Sequence, residues 1–195
     1  MAREEIVTNY SDSNEMNDIA SELAKLHVLT GADFSRQVER IAKMNIFYPL
    51  AGETNIYIAG GEQHDDFENL LNAARKAVDL GYQVFILPNP HGVRSADFIL
   101  RYRNVYKLYD VKTVRGKSSA GTRLLESIGQ CNRVILNMTV DYNTRLLTSD
   151  IKRYFEAYEQ ALEVLIFKGK KKISIVRRYT INPSFYSIFK RLYEK

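Results

Sequence analysis

The sequence predicts an α/β fold in which a mixed sheet is flanked by helices, with a helical N-terminal extension ahead of it. Three observations carry this. Apolar residues recur at helical spacing over residues 12–26, 33–42 and 64–80. Short apolar runs, Val84-Phe85-Ile86-Leu87 and Val134-Ile135-Leu136, have the length and β-branched content of buried strands. From residue 64 onward the order is helix, three strands, helix, strand, helix, two strands, which a sheet covered on both faces accommodates. A length of 195 residues with 45% hydrophobic content is enough for a self-sufficient core and excludes wholesale disorder.

The first helix begins at Asp12 or Ser13 as cap, with Met16, Ile19, Leu23 and Leu26 on one face and Gly31 as its stop. Asp33 or Ser35 caps a second helix bearing Phe34, Val38, Ile41 and Ala42; Pro49 and Gly52 then break the chain. Residues 55–58 make a short strand and Gly60-Gly61 a turn. A long helix over residues 64–80 carries Phe67, Leu70, Leu71, Ala74, Ala77 and Val78, with acids in its first turn and Gly81 at its C-terminal end. Residues 82–87 read as a strand. Residues 96–101 and 105–114 pair as a hairpin around Arg103-Asn104, Asn being tolerant of the left-handed conformation. A loop at 115–121, a helix at 122–131, a strand at 133–138 and a helix capped by Ser149 over 150–162 follow. A last hairpin turns at Gly169, and a short helix lies beyond Pro183.

Charge is unevenly spread beneath a net +5. Residues 1–93 hold 7 basic and 14 acidic side chains, whereas residues 94–133 hold 9 and 3, and residues 168–195 hold 9 and 1. Two basic blocks of this kind point to a polyanion as partner, nucleic acid above all. No apolar run is long enough to span a bilayer, and the first residues lack the apolar stretch of a secretory signal. The single cysteine, Cys131, excludes an internal disulfide and reads as a small core residue. A protein at work in the cytoplasm, without membrane contact, is expected.

The hairpin carries the chemistry. A two-residue turn at 103–104 sets Asp97 opposite Asp110, and Lys112 shares the face of Asp110 because side chains alternate. Like charges opposite one another destabilise a sheet, and Asp is depleted in strand interiors. A divalent cation would offset the repulsion: Mg²⁺, or another such as Mn²⁺ or Zn²⁺, takes one or two carboxylates with water and phosphate oxygens. Lys112 would orient water or stabilise charge on a phosphoryl group.

Ala96-Asp97 on one strand and Asp110-Val111-Lys112 on the next resemble the motif of the PD-(D/E)xK nuclease superfamily, with Ala96 in place of the usual Pro. The resemblance implies a restriction-endonuclease-like sheet, with residues 1–55 as the helical extension and 56–195 as the nuclease-like domain. It also implies Glu68 as a helical metal-binding carboxylate, with Asp65 or Asp66 as substitutes, and Gln130 as a helper on the helix after the motif. Gly81-Tyr82-Gln83-Val84, Leu87-Pro88, Ala96-Asp97-Phe98-Ile99-Leu100, Leu108-Tyr109-Asp110-Val111-Lys112-Thr113 and Gln130 are closer still to the C-terminal nuclease domains of CdiA-type contact-dependent growth-inhibition toxins and their mobile-element relatives. That likeness covers about residues 62–140. It implies a metal-dependent nuclease, a tRNA-cleaving toxin domain among the options, with an immunity protein as partner and the cytosol of a target cell as its place of action.

Arg115 and Lys117 in the loop after Lys112, with Arg101, Arg103 and Arg123, are candidate phosphate contacts; Tyr102, Tyr106 and Tyr109 are candidates for stacking on unpaired bases. Lys168-Gly169-Lys170-Lys171-Lys172 is a basic hairpin tip. The Gly116-Lys117-Ser118 triplet is not a P-loop, because Val111 stands where that motif needs Gly. Two alternatives stay open: a non-catalytic nucleic-acid-binding module, and a metal-independent RNase using His64 or His91.

Overall fold

The computed structural model describes residues 12–60, 66–88 and 95–194. Helices α1 (Asp12–Lys25) and α2 (Gly31–Ala42) lead into strands β1 (Phe47–Pro49) and β2 (Ile56–Ala59) and helix α3 (Phe67–Asp79). Strands β3 (Gln83–Ile86), β4 (Phe98–Tyr102) and β5 (Val105–Val114) precede α4 (Ala120–Glu126) and β6 (Arg133–Met138). The chain continues through α5 (Thr144–Ala157), β7 (Glu163–Lys168), β8 (Lys171–Val176), α6 (Arg177–Thr180) and α7 (Phe185–Glu194).

The strands form one mixed sheet in chain order. β2–β3, β5–β6 and β6–β7 are parallel, each joined by a crossover helix, and the remaining pairs are antiparallel. Helix α3 covers one face, packing Leu70, Leu71 and Ala74 on Val84, Phe98, Tyr109, Ile135 and Leu165. The sheet curls around it far enough for Lys172 of β8 to donate to the Tyr82 hydroxyl, 3.1 Å away, just before β3. The other face has two apolar clusters. One lies under α1–α2 and joins Ile19, Leu23, Val38 and Ile41 to Phe85, Ile99, Leu108 and Cys131. The second lies under α4, α5 and α7 and joins Leu124, Leu147, Ile151 and Phe189 to Val114, Val134, Leu136 and Val164.

The expected element order is present, and several local expectations change. Gly31, with φ of 56°, opens α2 instead of stopping α1, which ends at Lys25; Thr30 is the N-cap residue. The expected helix at 122–131 is α4, which ends at Glu126 in a run of turns through Gly129 at φ 81°. The expected Ser149 cap lies inside α5, whose start is held by Asn143, its side chain accepting from Leu146 N–H at 3.0 Å. In the β4–β5 turn, Arg103 takes the left-handed conformation, φ 56°, and Asn104 does not. Arg101 Nε bonds the Arg103 carbonyl at 3.0 Å and braces that turn. Strand β1 falls within residues 1–55, where only helices are expected, and pairs with β2. Gly81, φ 86°, ends α3 as expected: Tyr82 N–H reaches back to the Ala77 carbonyl at 3.1 Å. Among the described residues no helix is long and apolar enough to cross a membrane.

Candidate active site

β4 and β5 pair in the register that the two-residue turn requires, with Tyr102 opposite Val105 and Phe98 opposite Tyr109. Continued, that register would set Asp97 against Asp110. Instead Asp97 N–H donates to the Tyr109 carbonyl at 3.0 Å, so that Asp97 and Phe98 both face Tyr109. Two residues against one is the arrangement of a β-bulge, which bends a strand and re-aims a side chain. β4 ends here, leaving the Val111 N–H without a strand partner, and the re-aimed Asp97 Oδ2 accepts it at 2.7 Å.

Asp110 is 1% exposed, although it sits in the middle of a strand. Its neighbour across the parallel ladder is Val134, and that of Lys112 is Leu136. Both side chains therefore lie on the two-cluster face, at the seam between the core under α1–α2 and the core under α4–α5. Lys112 Nζ donates to Asp110 Oδ1 at 3.1 Å and lies 3.0 Å from Oδ2. It also donates to Gln130 Oε1 at 3.2 Å, and Gln130 Nε2 is anchored on the Glu126 carbonyl at 3.0 Å. The turns after α4 thus hold Gln130 so that its amide oxygen meets the ammonium of Lys112.

The electrostatics are those of two acids in one dry place. Burial and then the charge on Asp97 push Asp110 well above the ordinary carboxylate range, against the pull of Lys112. Burial likewise raises Asp97, opposed by the Val111 N–H and by Lys112. Asp110 Oδ2 is buried with the Lys112 ammonium 3.0 Å away and accepts no aligned hydrogen bond among the described residues. A buried carboxylate whose near charge is a single ammonium, beside a second carboxylate, is a donor set that suits a hard divalent cation with water or phosphate filling the other positions. The described residues hold no cluster of three or more His, Cys, Asp or Glu side chains that would cage a metal without such added oxygens.

Asp97, Asp110, Lys112 and Gln130 are therefore brought together, and the other candidates fall elsewhere. Glu68 is exposed on the first turn of α3, and the cation it influences is Arg75. The acid that acts on Asp97 from that helix end is Asp66, which also pairs with Arg115 at 3.7 Å. The candidate phosphate contacts divide. Arg115, Lys117 and Arg123 are exposed on the loop and helix after β5, at the Lys112 end. Arg101, opposite Tyr106, and Arg103, in the β4–β5 turn, lie about four and six residues back from Asp110, roughly 14 to 20 Å along the strand. Arg101 is engaged there by Gln83 Oε1 at 2.8 Å. Tyr109 is buried and donates to Glu163 Oε2 at 2.9 Å, which removes it from any stacking role. Tyr102 is exposed but packs on Tyr82, at 5.4 Å between centroids, under the Lys172 ammonium. In the basic hairpin Lys168 pairs with Asp141 at 3.0 Å. Cys131 is a core residue as expected: its thiol bonds the Leu108 carbonyl at 3.3 Å, and burial pushes it up to about 12. His64, Asp65 and His91 lie outside the described residues.

Two features of the site escape sequence reasoning. The bulge depends on where β4 stops, and the burial of Asp110 depends on the meeting of two helical layers; neither leaves a local pattern in the chain.

No protein-family model matches this chain, and no curated protein matches it. Among solved structures, a chain of the CdiA-CT/CdiI toxin and immunity complex from Burkholderia pseudomallei is similar, with a TM-score of 0.42 and 14% sequence identity. The match covers 61% of this chain and 98% of that one.

Proposed function

We propose that the chain is a metal-dependent nuclease of the PD-(D/E)xK type, hydrolysing phosphodiester bonds in nucleic acid. The observation that carries this is the seam site: the buried Asp110 with the half-buried Asp97 beside it, and a lysine held against Asp110 by a glutamine. A fold that needed only stability would fill such a seam with apolar side chains, because adjacent buried acids are costly.

Asp97 and Asp110 are the residues that would hold a divalent ion, with Mg²⁺ the first choice. Such an ion, when bound, supplies charge neutralisation and a lowered pKa for water. The chain's own groups do the rest. Lys112 presents a fixed positive charge beside the carboxylates, where negative charge gathers on phosphoryl oxygens during attack. Gln130 keeps that ammonium in place. The Val111 N–H fixes Asp97, so the acid keeps one orientation. The exposed Arg115, Lys117 and Arg123 give the neighbouring surface a positive field that favours a phosphate backbone. The same reading makes a toxin domain with an immunity protein as partner the biological setting proposed here, with the cytosol as the place of action.

The test is incubation of the purified protein with RNA and with single-stranded and duplex DNA, with Mg²⁺ or with excess EDTA. Cleavage is expected with Mg²⁺ and is expected to fall by roughly a hundredfold or more in Lys112→Ala and Asp110→Asn. Cleavage undiminished in EDTA, or by either variant, would rule the proposal out. Salt-sensitive binding without cleavage on any substrate would point to a non-catalytic nucleic-acid-binding module.

A further inference from the structure

A cleft of about 780 Å³ runs between helices α1–α2 and the edge formed by β5 and the turns after α4. Its size is within the range of sites that enclose a small organic group. It adjoins the seam site directly. Gln130 lines it while holding Lys112, and Ala96, next to Asp97, and Leu108, two residues before Asp110, lie along it. Aromatic rings stand in its wall from three different elements: Phe34 of α2, Tyr106 of β5 and Tyr158 after α5. Hydrogen-bonding side chains are interspersed among them. Ser95 Oγ is buried and has no partner among the described residues, and Asn132 adds an amide. The wall is also biased in charge, since Lys107 and Arg133 share one buried acid, Glu163, at 3.1 and 3.7 Å. Flat rings, scattered donors and acceptors, and a surplus positive charge are what a nucleobase with its phosphate requires.

We propose that this cleft receives an unpaired nucleotide of the substrate strand, next to the bond presented to Asp97, Asp110 and Lys112. The inference deepens the nuclease reading and rests on it for the position of that bond. It assigns a purpose to the N-terminal helices: they are the wall that closes over a base taken out of a stack. Substrates with single-stranded segments or ends are favoured over continuous duplex, because a stacked and paired base cannot enter.

Binding is measured by fluorescence anisotropy in EDTA, which separates it from cleavage. The probes are labelled single strands of about 12 nucleotides, as RNA and as DNA. Each is compared with the same backbone lacking its bases and with a blunt duplex. The variants are Ser35→Trp and Gln160→Trp, at exposed positions on the cleft, where folding is not at stake. Base-bearing single strands are expected to bind roughly tenfold more tightly than abasic strands. Each Trp variant is expected to erase that margin while leaving duplex binding unchanged. The RNA and DNA arms tell which sugar is accepted. Equal binding of base-bearing and abasic strands, or a margin that survives both Trp variants, overturns the cleft assignment. Absence of Mg²⁺-dependent cleavage with the margin intact overturns the nuclease reading alone.

Discussion

At the scale of single residues, the proposed active site holds a group that is costly to the fold. Asp110 is an acid that the fold has removed from water and set beside another acid. Its raised pKa has a thermodynamic consequence of definite sign. The folded protein binds a proton there that the unfolded chain has already released, so metal-free stability falls as pH rises from the ordinary carboxylate range through the raised value. Asp110→Asn keeps the shape and removes the charge. In EDTA it is expected to raise Tm by about 4 °C at neutral pH and by less near pH 4.5, as read by thermal unfolding. An equal effect at both pH values would show that the charge is not the cause. Glu163, also buried, makes the contrast. It accepts from Ser174 Oγ at 2.6 Å and from Tyr109 and Lys107, and its pKa is lowered even though burial acts to raise it. Two buried carboxylates in one sheet thus differ in how fully they are partnered. The partnered one is architectural, and the under-partnered one marks the candidate site.

At the scale of elements, α4 is a short helix with a demanding location. It follows the basic loop and leads to the turns that carry Gln130. Its start is locked to α5: Ala120 N–H donates to Tyr142 Oη at 3.2 Å, and Tyr142 donates to Asp150 Oδ2 at 3.0 Å. Gly121 sits against that lock, and a Cβ there would fall 2.7 Å from Asp150 Oδ1 and 2.9 Å from its Cγ. Asp150 is buried and hydrogen-bonded, so it has little room to yield. Gly121→Ala is expected to cost about 1–3 kcal/mol in chemical denaturation, even though Ala is the better helix former. A gain in stability would mean that propensity outweighs packing at this joint. The bulge at Asp97 is the matching device on the strand side. It ends the β4–β5 ladder and gives the freed Val111 N–H a carboxylate in place of a carbonyl.

At the scale of the whole molecule, the N-terminal helices and the sheet share one core. Ile19, Leu23, Val38 and Ile41 bury the β3–β5 face through Phe85, Ile99 and Leu108. The chain is therefore expected to unfold in a single calorimetric transition, with calorimetric and van't Hoff enthalpies in agreement. A chain starting at residue 47 is expected to lose that transition, having uncovered a contiguous apolar face. Two separable transitions in the 195-residue chain would mean that α1–α2 fold apart from the sheet.

How much of this was legible beforehand depends on the range of the interaction. Element types and order follow from periodicity, and the hairpin register from the length of its turn, because both are properties of neighbouring residues. The boundaries that moved, at Gly31, at the end of α4 and at the cap of α5, are those where several residues qualify locally and packing chooses among them. Asp110, Lys112 and Asp97 were legible as a group because one hairpin carries all three. The sequence favours Glu68 over Asp65 or Asp66, yet Asp66 is the acid that acts on Asp97, since the outcome rests on how α3 meets the sheet. Closeness in the chain groups Arg101 and Arg103 with Arg115, yet the length of β5 carries them to its other end. By itself, then, the sequence determined the mixed α/β order and the acid–acid–lysine hairpin, which are set by short-range geometry. Only the tertiary structure decided that Asp97 is re-aimed by a bulge, that Asp110 is buried at a seam, and that the first two helices wall a cleft beside it. These depend on surfaces that meet only when distant segments pack.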